Sequence, residues 1–168
     1  MTAKLRVLSG VAAVGLVLDQ ITKYLIETRL IFGDEIAVIE GFFYLTRVHN
    51  RGAAFGILSN LPESMRLVFF VGITLIAVAV IISFFRKLAP GDRWAASSLG
   101  LILGGALGNL CDRVRLGEVV DFLHFKLWQG YSWPDFNLAD SFIVVGVGLL
   151  ILELIAIEGD EDEASESV

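Results

Sequence analysis

An all-α membrane protein of four transmembrane helices is the fold class this sequence predicts, and three observations predict it. Of the 168 residues, 55% are hydrophobic, above the roughly 45–50% of soluble domains, and mean hydropathy is +0.72. Four apolar stretches, roughly Leu5–Ile26, Arg66–Phe85, Trp94–Cys111 and Leu138–Ile157, have lengths suited to the about 20 residues of helix that cross a bilayer. The length suits one domain, so residues 1–157 read as a single integral-membrane unit.

The first span follows Lys4 and Arg6 as a secretory signal would, but its length, its embedded Asp19 and Lys23, and the three later spans argue for a retained helix. Ile36 to Val48 is rich in β-branched and aromatic residues broken by Gly41, which predicts a short hairpin or curled sheet. Asn60-Leu61-Pro62-Glu63 resembles a helix start, with Asn60 as cap, an early proline and an acid three residues on. The second span ends in the turn Ala89-Pro90-Gly91-Asp92. The third carries Ala96, Gly100, Gly104 and Gly108 at four-residue spacing, a small-residue face for close helix approach. That face delivers Asn109, Asp112 and Arg113 to one membrane boundary. Trp128, Tyr131, Trp133 and Phe136 read as an interfacial belt leading into the fourth span.

The formal net charge of −6 is equalled by Glu158, Asp160, Glu161, Asp162, Glu163 and Glu166, leaving the rest of the chain neutral. Residues 158–168 therefore read as an acidic, disordered tail, and nothing suggests nucleic-acid binding. The single cysteine, Cys111, excludes an intrachain disulfide and a cysteine-based metal cluster. Lys4, Arg6, Arg86, Lys87 and Arg93 concentrate positive charge at one side, which the positive-inside bias assigns to the cytoplasm together with both termini.

Against this apolar background the polar residues stand out. Asp121, in Val119-Val120-Asp121-Phe122, and Asp140, where the last apolar run begins, are carboxylates at a bilayer edge, costly unless neutralised, paired or used. If they face each other, repulsion and desolvation leave one proton shared between them, the arrangement that activates water in aspartic proteases. Asp19 and Lys23, four apart on one helical face, either neutralise each other or serve that site. Asn50, beside Gly52, Ala53 and Ala54, could bond the backbone of an extended peptide; Asn109 and Asn137 could do the same or orient the carboxylates. Arg113 offers a planar fork for a carbonyl, carboxylate or phosphate, or is an interfacial anchor. His49 and His124 are not at a metal-ligand spacing, and no phosphate loop, Ser-His pairing or zinc-protease motif is present. On these residues alone an enzyme competes with a small proton-coupled transporter or channel, for which intramembrane charges would mark an ion path, and with a lipid-binding assembly factor.

Five segments, taken together and in order, decide more. They are Asp19-Gln20-Ile21-Thr22-Lys23, Asn50-Arg51-Gly52-Ala53-Ala54-Phe55-Gly56, Gly104 through Arg113, Val119-Val120-Asp121-Phe122 and Phe136-Asn137-Leu138-Ala139-Asp140. This set resembles the ordered motifs of the lipoprotein signal peptidase (signal peptidase II) family. The resemblance implies an aspartyl endopeptidase of the bacterial inner membrane with four transmembrane helices, a small periplasmic β-cradle and a mobile periplasmic helix; a monomer is expected, though the sequence alone does not give the oligomeric state. It implies an active site near the periplasmic face and removal of signal peptides from diacylglyceryl-modified prolipoproteins, just before the lipidated cysteine. It assigns catalysis to Asp121 and Asp140 and substrate binding or site organisation to Asn50, Asn109, Arg113, Asn137 and Asp19, with Asp112 in the motif. No metal or cofactor is implied. Such enzymes are targets of the cyclic lipopeptide globomycin, and the acidic tail departs from their usual basic one.

Overall fold

The computed structural model describes residues 2–52, 62–128 and 130–166, with side chains as far as residue 156. Long apolar runs form the helices α1 (Ala3–Arg29), α2 (Glu63–Lys87), α3 (Arg93–Leu116) and α4 (Leu138–Glu166), interleaved with strands β1 (Glu35–Ile39), β2 (Phe43–Asn50), β3 (Val119–Lys126) and β4 (Ser132–Phe136). All four helices are long and apolar enough to cross a membrane, α4 through its stretch Leu138–Ala156. Each outruns its expected apolar stretch by a turn or less at most ends, because polar residues such as Arg93 and Arg115 extend a helix beyond its apolar part. The helix of α4 continues into the acidic residues as far as Glu166. The expected cap Asn60 lies outside the described residues; α2 begins at Glu63 after Pro62.

Half of the α3 span is buried, against 11% to 17% of the other three. Its small residues are the reason. A Cβ on Gly104 would stand 2.8 Å from the Ala12 carbonyl oxygen of α1, and one on Gly100 2.8 Å from that of Leu8. A Cβ on Gly105 would collide with the Ala139 carbonyl of α4. The expected small-residue face thus packs α3 against α1, and Gly105, outside that face, brings α3 against α4; van der Waals contact there replaces the hydrophobic drive that lipid does not supply. Asp92 caps α3 by accepting from the Ala95 N–H at 3.0 Å, and Gly117, at φ 74°, takes the left-handed position that ends it. The outward faces of α1, α2 and α4 remain apolar and exposed, as at Ile21, Ile76 and Leu152, which suits contact with hydrocarbon.

The expected hairpin forms, with Gly41 at φ 77° in its turn, but it is half of a larger sheet. The order is β1-β2-β3-β4, antiparallel throughout. Strands β3 and β4 were not expected. The residues read as an interfacial belt divide: Trp128 and Tyr131 are exposed in the β3–β4 connection, whereas Phe136 stacks on Phe125 at 5.8 Å within the sheet. Ile26, Leu30, Val120 and Phe122 form a buried cluster, flanked by Leu116 and Leu138, that ties the sheet to the ends of α1 and α3 and the start of α4.

Candidate active site

Val119 and Val120 are buried, and this anchoring of β3 turns Asp121 into the interior with only 3% of its surface exposed. Asp140 arrives from a different element. It occupies the first turn of α4, where Asn137 Oδ1 accepts from the Asp140 N–H at 3.0 Å and Asp140 Oδ2 accepts from the Asn137 N–H at 3.1 Å. This is a capping box, with aspartate where glutamate is usual, and the positive end of the helix dipole favours the charge there. Both aspartates line one mostly apolar cavity of about 600 Å³, together with Asn50, Asn109 and Arg113.

The three asparagines organise the pair. Asn50 Nδ2 donates to Asp121 Oδ2 at 2.9 Å, and Asn137 Nδ2 donates to Asp121 Oδ1 at 2.7 Å. Asn109 Nδ2 donates to Asp140 Oδ1 at 2.8 Å, while Asn109 Oδ1 accepts from Asn137 at 3.1 Å and from the Lys23 ammonium at 3.0 Å. With donors on its oxygen from two sides, Asn109 can only present its amide N–H to Asp140. Burial pushes the Asp121 carboxyl up and the charge of Asp140 adds to it; the bonds from Asn50 and Asn137 oppose, leaving it at about 7. A carboxyl poised there can hold or release a proton near neutrality.

Arg113 lies with its guanidinium 3.8 Å over the Phe70 ring of α2. A planar guanidinium over a ring face makes a contact that an ammonium does not reproduce.

Asp19 does not line the cavity. It is wholly buried behind it with Lys23 and Asp112. Lys23 Nζ lies 2.9 Å from Asp19 Oδ2 and 2.8 Å from Asp112 Oδ2. Gln20 donates to Asp112 Oδ1 at 2.9 Å, and the backbone N–H of Ala139 donates to Asp19 Oδ1 at 3.0 Å. The position expected to bind substrate therefore fastens α1 to the residue before Asp140. The i, i+4 pairing of Asp19 and Lys23 was legible; the third member, Asp112, stood in a motif on α3, but nothing along the chain paired it with Lys23. Also unforeseen was the wall that β4 builds from Trp133 to Phe136 and α4 from Ser141 to Val145. His49 is structural: it lies 2.5 Å from Glu118, which Arg51 also bonds at 2.9 Å, clamping the end of β2 to the start of β3. Burial raises the Glu118 carboxyl, but these two partners outweigh it and hold it low.

Comparison with known proteins bears on the family and the fold. The sequence model of the family Signal peptidase (SPase) II matches residues 11–156. The chain is 50% identical over 155 residues to a lipoprotein signal peptidase of Geobacter metallireducens, covering 92% of this chain and 94% of that protein. It is 46% identical over 147 residues to that of Symbiobacterium thermophilum, covering 88% and 93%. Two solved structures described as bacterial membrane enzymes, determined by the in meso method at 2.3 Å and 1.9 Å, superpose with TM-scores of 0.78 and 0.74. They are 39% and 41% identical, covering 89% and 86% of this chain and 88% and 89% of theirs. A match that reaches from the first span to the end of the last, at such identity, places this chain in the signal peptidase II family.

Proposed function

We propose that the protein is a membrane aspartic endopeptidase that removes signal peptides from diacylglyceryl-modified prolipoproteins, cutting before the lipidated cysteine. The observation that carries this reading is the convergence of Asp121 and Asp140, from β3 and α4, on one apolar cavity with amide donors behind each. Two such carboxylates share one proton. The charged member takes a proton from water as the water attacks the scissile carbonyl, and the protonated member hydrogen-bonds the carbonyl oxygen as it becomes negative. Collapse of the tetrahedral intermediate passes a proton to the amine of the cysteine, so no covalent enzyme intermediate forms. Asn50, Asn109 and Asn137 are assigned to orienting the carboxylates, Asn50 and Arg113 also to holding the extended peptide, and Asp19 to positioning through Lys23 and the Ala139 N–H.

The lipid has a physical part in this. Each buried CH₂ contributes about 0.8 kcal/mol of anchoring, so the diacylglyceryl group fixes the cysteine at bilayer depth and registers the bond before it against the pair. The pair and the amides that hold it come from a single chain, so the reaction as proposed needs no second copy. Lys4 donates to the carbonyls of Phe85 and Leu88 at 3.1 and 2.6 Å, so the N-terminus and the α2–α3 turn share one end. The basic residues gathered there support cytoplasmic termini in the bacterial inner membrane, with the sheet and the site at the periplasmic face. A cyclic lipopeptide such as globomycin, apolar with a peptide ring, fits the same cavity as an inhibitor. The transporter reading is disfavoured because Asp19, Lys23 and Asp112 are sealed in a fully buried network and thread no path.

The test is processing of precursor by purified protein in detergent, followed by gel shift. Lipidated precursor should be shortened and the unmodified one left intact. Equal processing of both would remove the registration argument; processing of neither would overturn the peptidase reading.

A further inference from the structure

A third carboxylate stands in the cavity wall, and the chemistry above does not use it. Asp135 belongs to the edge strand β4, where the register slips: Leu123 pairs with Phe136 and Phe125 with Trp133, so Pro134 and Asp135 together oppose His124. Two residues facing one is a β-bulge, which re-aims side chains, and a proline is tolerated at such an edge. Asp135 Oδ1 bonds His124 Nδ1 at 2.8 Å and accepts from the Thr46 hydroxyl at 3.3 Å. The side chain nevertheless keeps 24% of its exposure and lines the cavity. Among the described residues no hydrogen bond reaches Oδ2. The carboxylate is thus oriented from behind and open in front.

Its place along the cavity determines what it meets. Val144 and Val145 line the cavity from the α4 span, and Asp135 lines it from the sheet outside. The apolar part of a signal peptide belongs in hydrocarbon, with the former. The chain beyond the cysteine must then leave past the sheet, since its polar backbone is not tolerated in lipid.

We propose that Asp135, oriented by His124 and Thr46, reads the charge of the first two residues after the lipidated cysteine, favouring basic and disfavouring acidic side chains there. The inference rests on the peptidase reading above and adds a specificity subsite to it. A partly exposed unit charge several ångströms away through a partly wet cavity changes affinity about tenfold between attraction and repulsion. The difference belongs mainly in KM, because Asp135 is outside the pair that does the chemistry and acts alike on bound substrate and transition state.

The experiment uses the purified full chain in detergent and lipidated precursors identical except for lysine, serine or aspartate at both positions after the cysteine. Wild type should cleave the lysine substrate about tenfold more efficiently than the aspartate one, with serine between and the spread in KM. In Asp135→Asn that ratio should fall towards one, and in Asp135→Lys it should invert. Each ratio is internal to one enzyme, so a general loss of activity or yield does not alter it. No preference in wild type, or the same ratio in Asp135→Asn, would overturn the proposal. Failure of wild type to cleave any of the three would instead overturn the peptidase reading beneath it.

Discussion

Asp121 and Asp140 differ in how they are held, and the difference matters for what each substitution does. Among the described residues, Asp121, buried in a strand, is bonded by amide side chains alone, whereas Asp140 is also bonded by its own helix turn. Asparagine at either position can neither take a proton from water nor share one across the pair. Turnover of lipidated precursor should fall by at least about 10³-fold in Asp121→Asn and in Asp140→Asn, and the double variant should be no worse, since the two act as a unit. With the Asp121 carboxyl at about 7, the pair keeps its single proton below that value and loses it above. kcat/KM should therefore fall as pH rises through about 7, and fall again in acid when the second carboxylate protonates. The same shift has a stability sign. A carboxyl raised above its ordinary value is favoured in its neutral form, so the folded protein gains stability below about pH 4 and loses it as pH rises to 7. Melting in detergent from pH 4 to 8 should show this decline in wild type and a flatter profile in Asp121→Asn. Arg113→Lys keeps charge but loses the planar stack on Phe70; turnover should drop about tenfold or more at unchanged melting temperature. Wild-type turnover in that variant would reduce Arg113 to an anchor.

At the level of elements, the site is only as precise as the contact between α3 and α4. Gly105 lies against the carbonyl of Ala139, the residue before Asp140, so a methyl there must push back the turn that aims the carboxylate. Gly105→Ala should cost about 1–3 kcal/mol in stability by overpacking and lose turnover out of proportion to folding. Gly148, on α4, faces open space: among the described residues a methyl there would meet nothing within 4 Å. Gly148→Ala should be neutral or up to about 1 kcal/mol stabilising, by reduced backbone entropy, with full activity. Equal effects of the two substitutions on thermal melting and turnover would mean that the close approach of α3 and α4 does not set the site.

For the molecule as a whole, the polar groups converge at the sheet end, and the contacts that build the site join residues well before the end of the last span. Residues 158–168 hold six acids and no lysine or arginine, and they follow that span. Truncation after Ile157 should leave turnover per folded enzyme unchanged within about twofold, because charge that far from the pair is screened over about 10 Å in ordinary salt. A large loss in that variant, with melting unaltered, would assign the tail a partner or a role in catalysis.

What the sequence determined by itself was whatever depends on local pattern. Four runs of bilayer length need no partner to be recognised, since helix is the way a single segment satisfies its backbone in lipid. The four-residue spacing of Gly100, Gly104 and Gly108 marked a close helix contact, and the ordered motifs marked Asp121 and Asp140. Strands β3 and β4 escaped because their pairing is non-local: β3 lies beside β2, with two helices between them in the chain. Aromatic residues at a membrane boundary suit an interfacial belt and a strand alike, so Phe136 could not be assigned before its stack on Phe125 was seen. The partners of Lys23 could not be counted from α1 alone, because the second carboxylate comes from α3. Only the tertiary structure decided that Asp19 stands behind the site and that Asn109 presents its N–H to Asp140. Burial and hydrogen-bond partners are properties of the packed chain, and no spacing of residues along it encodes which atom faces which.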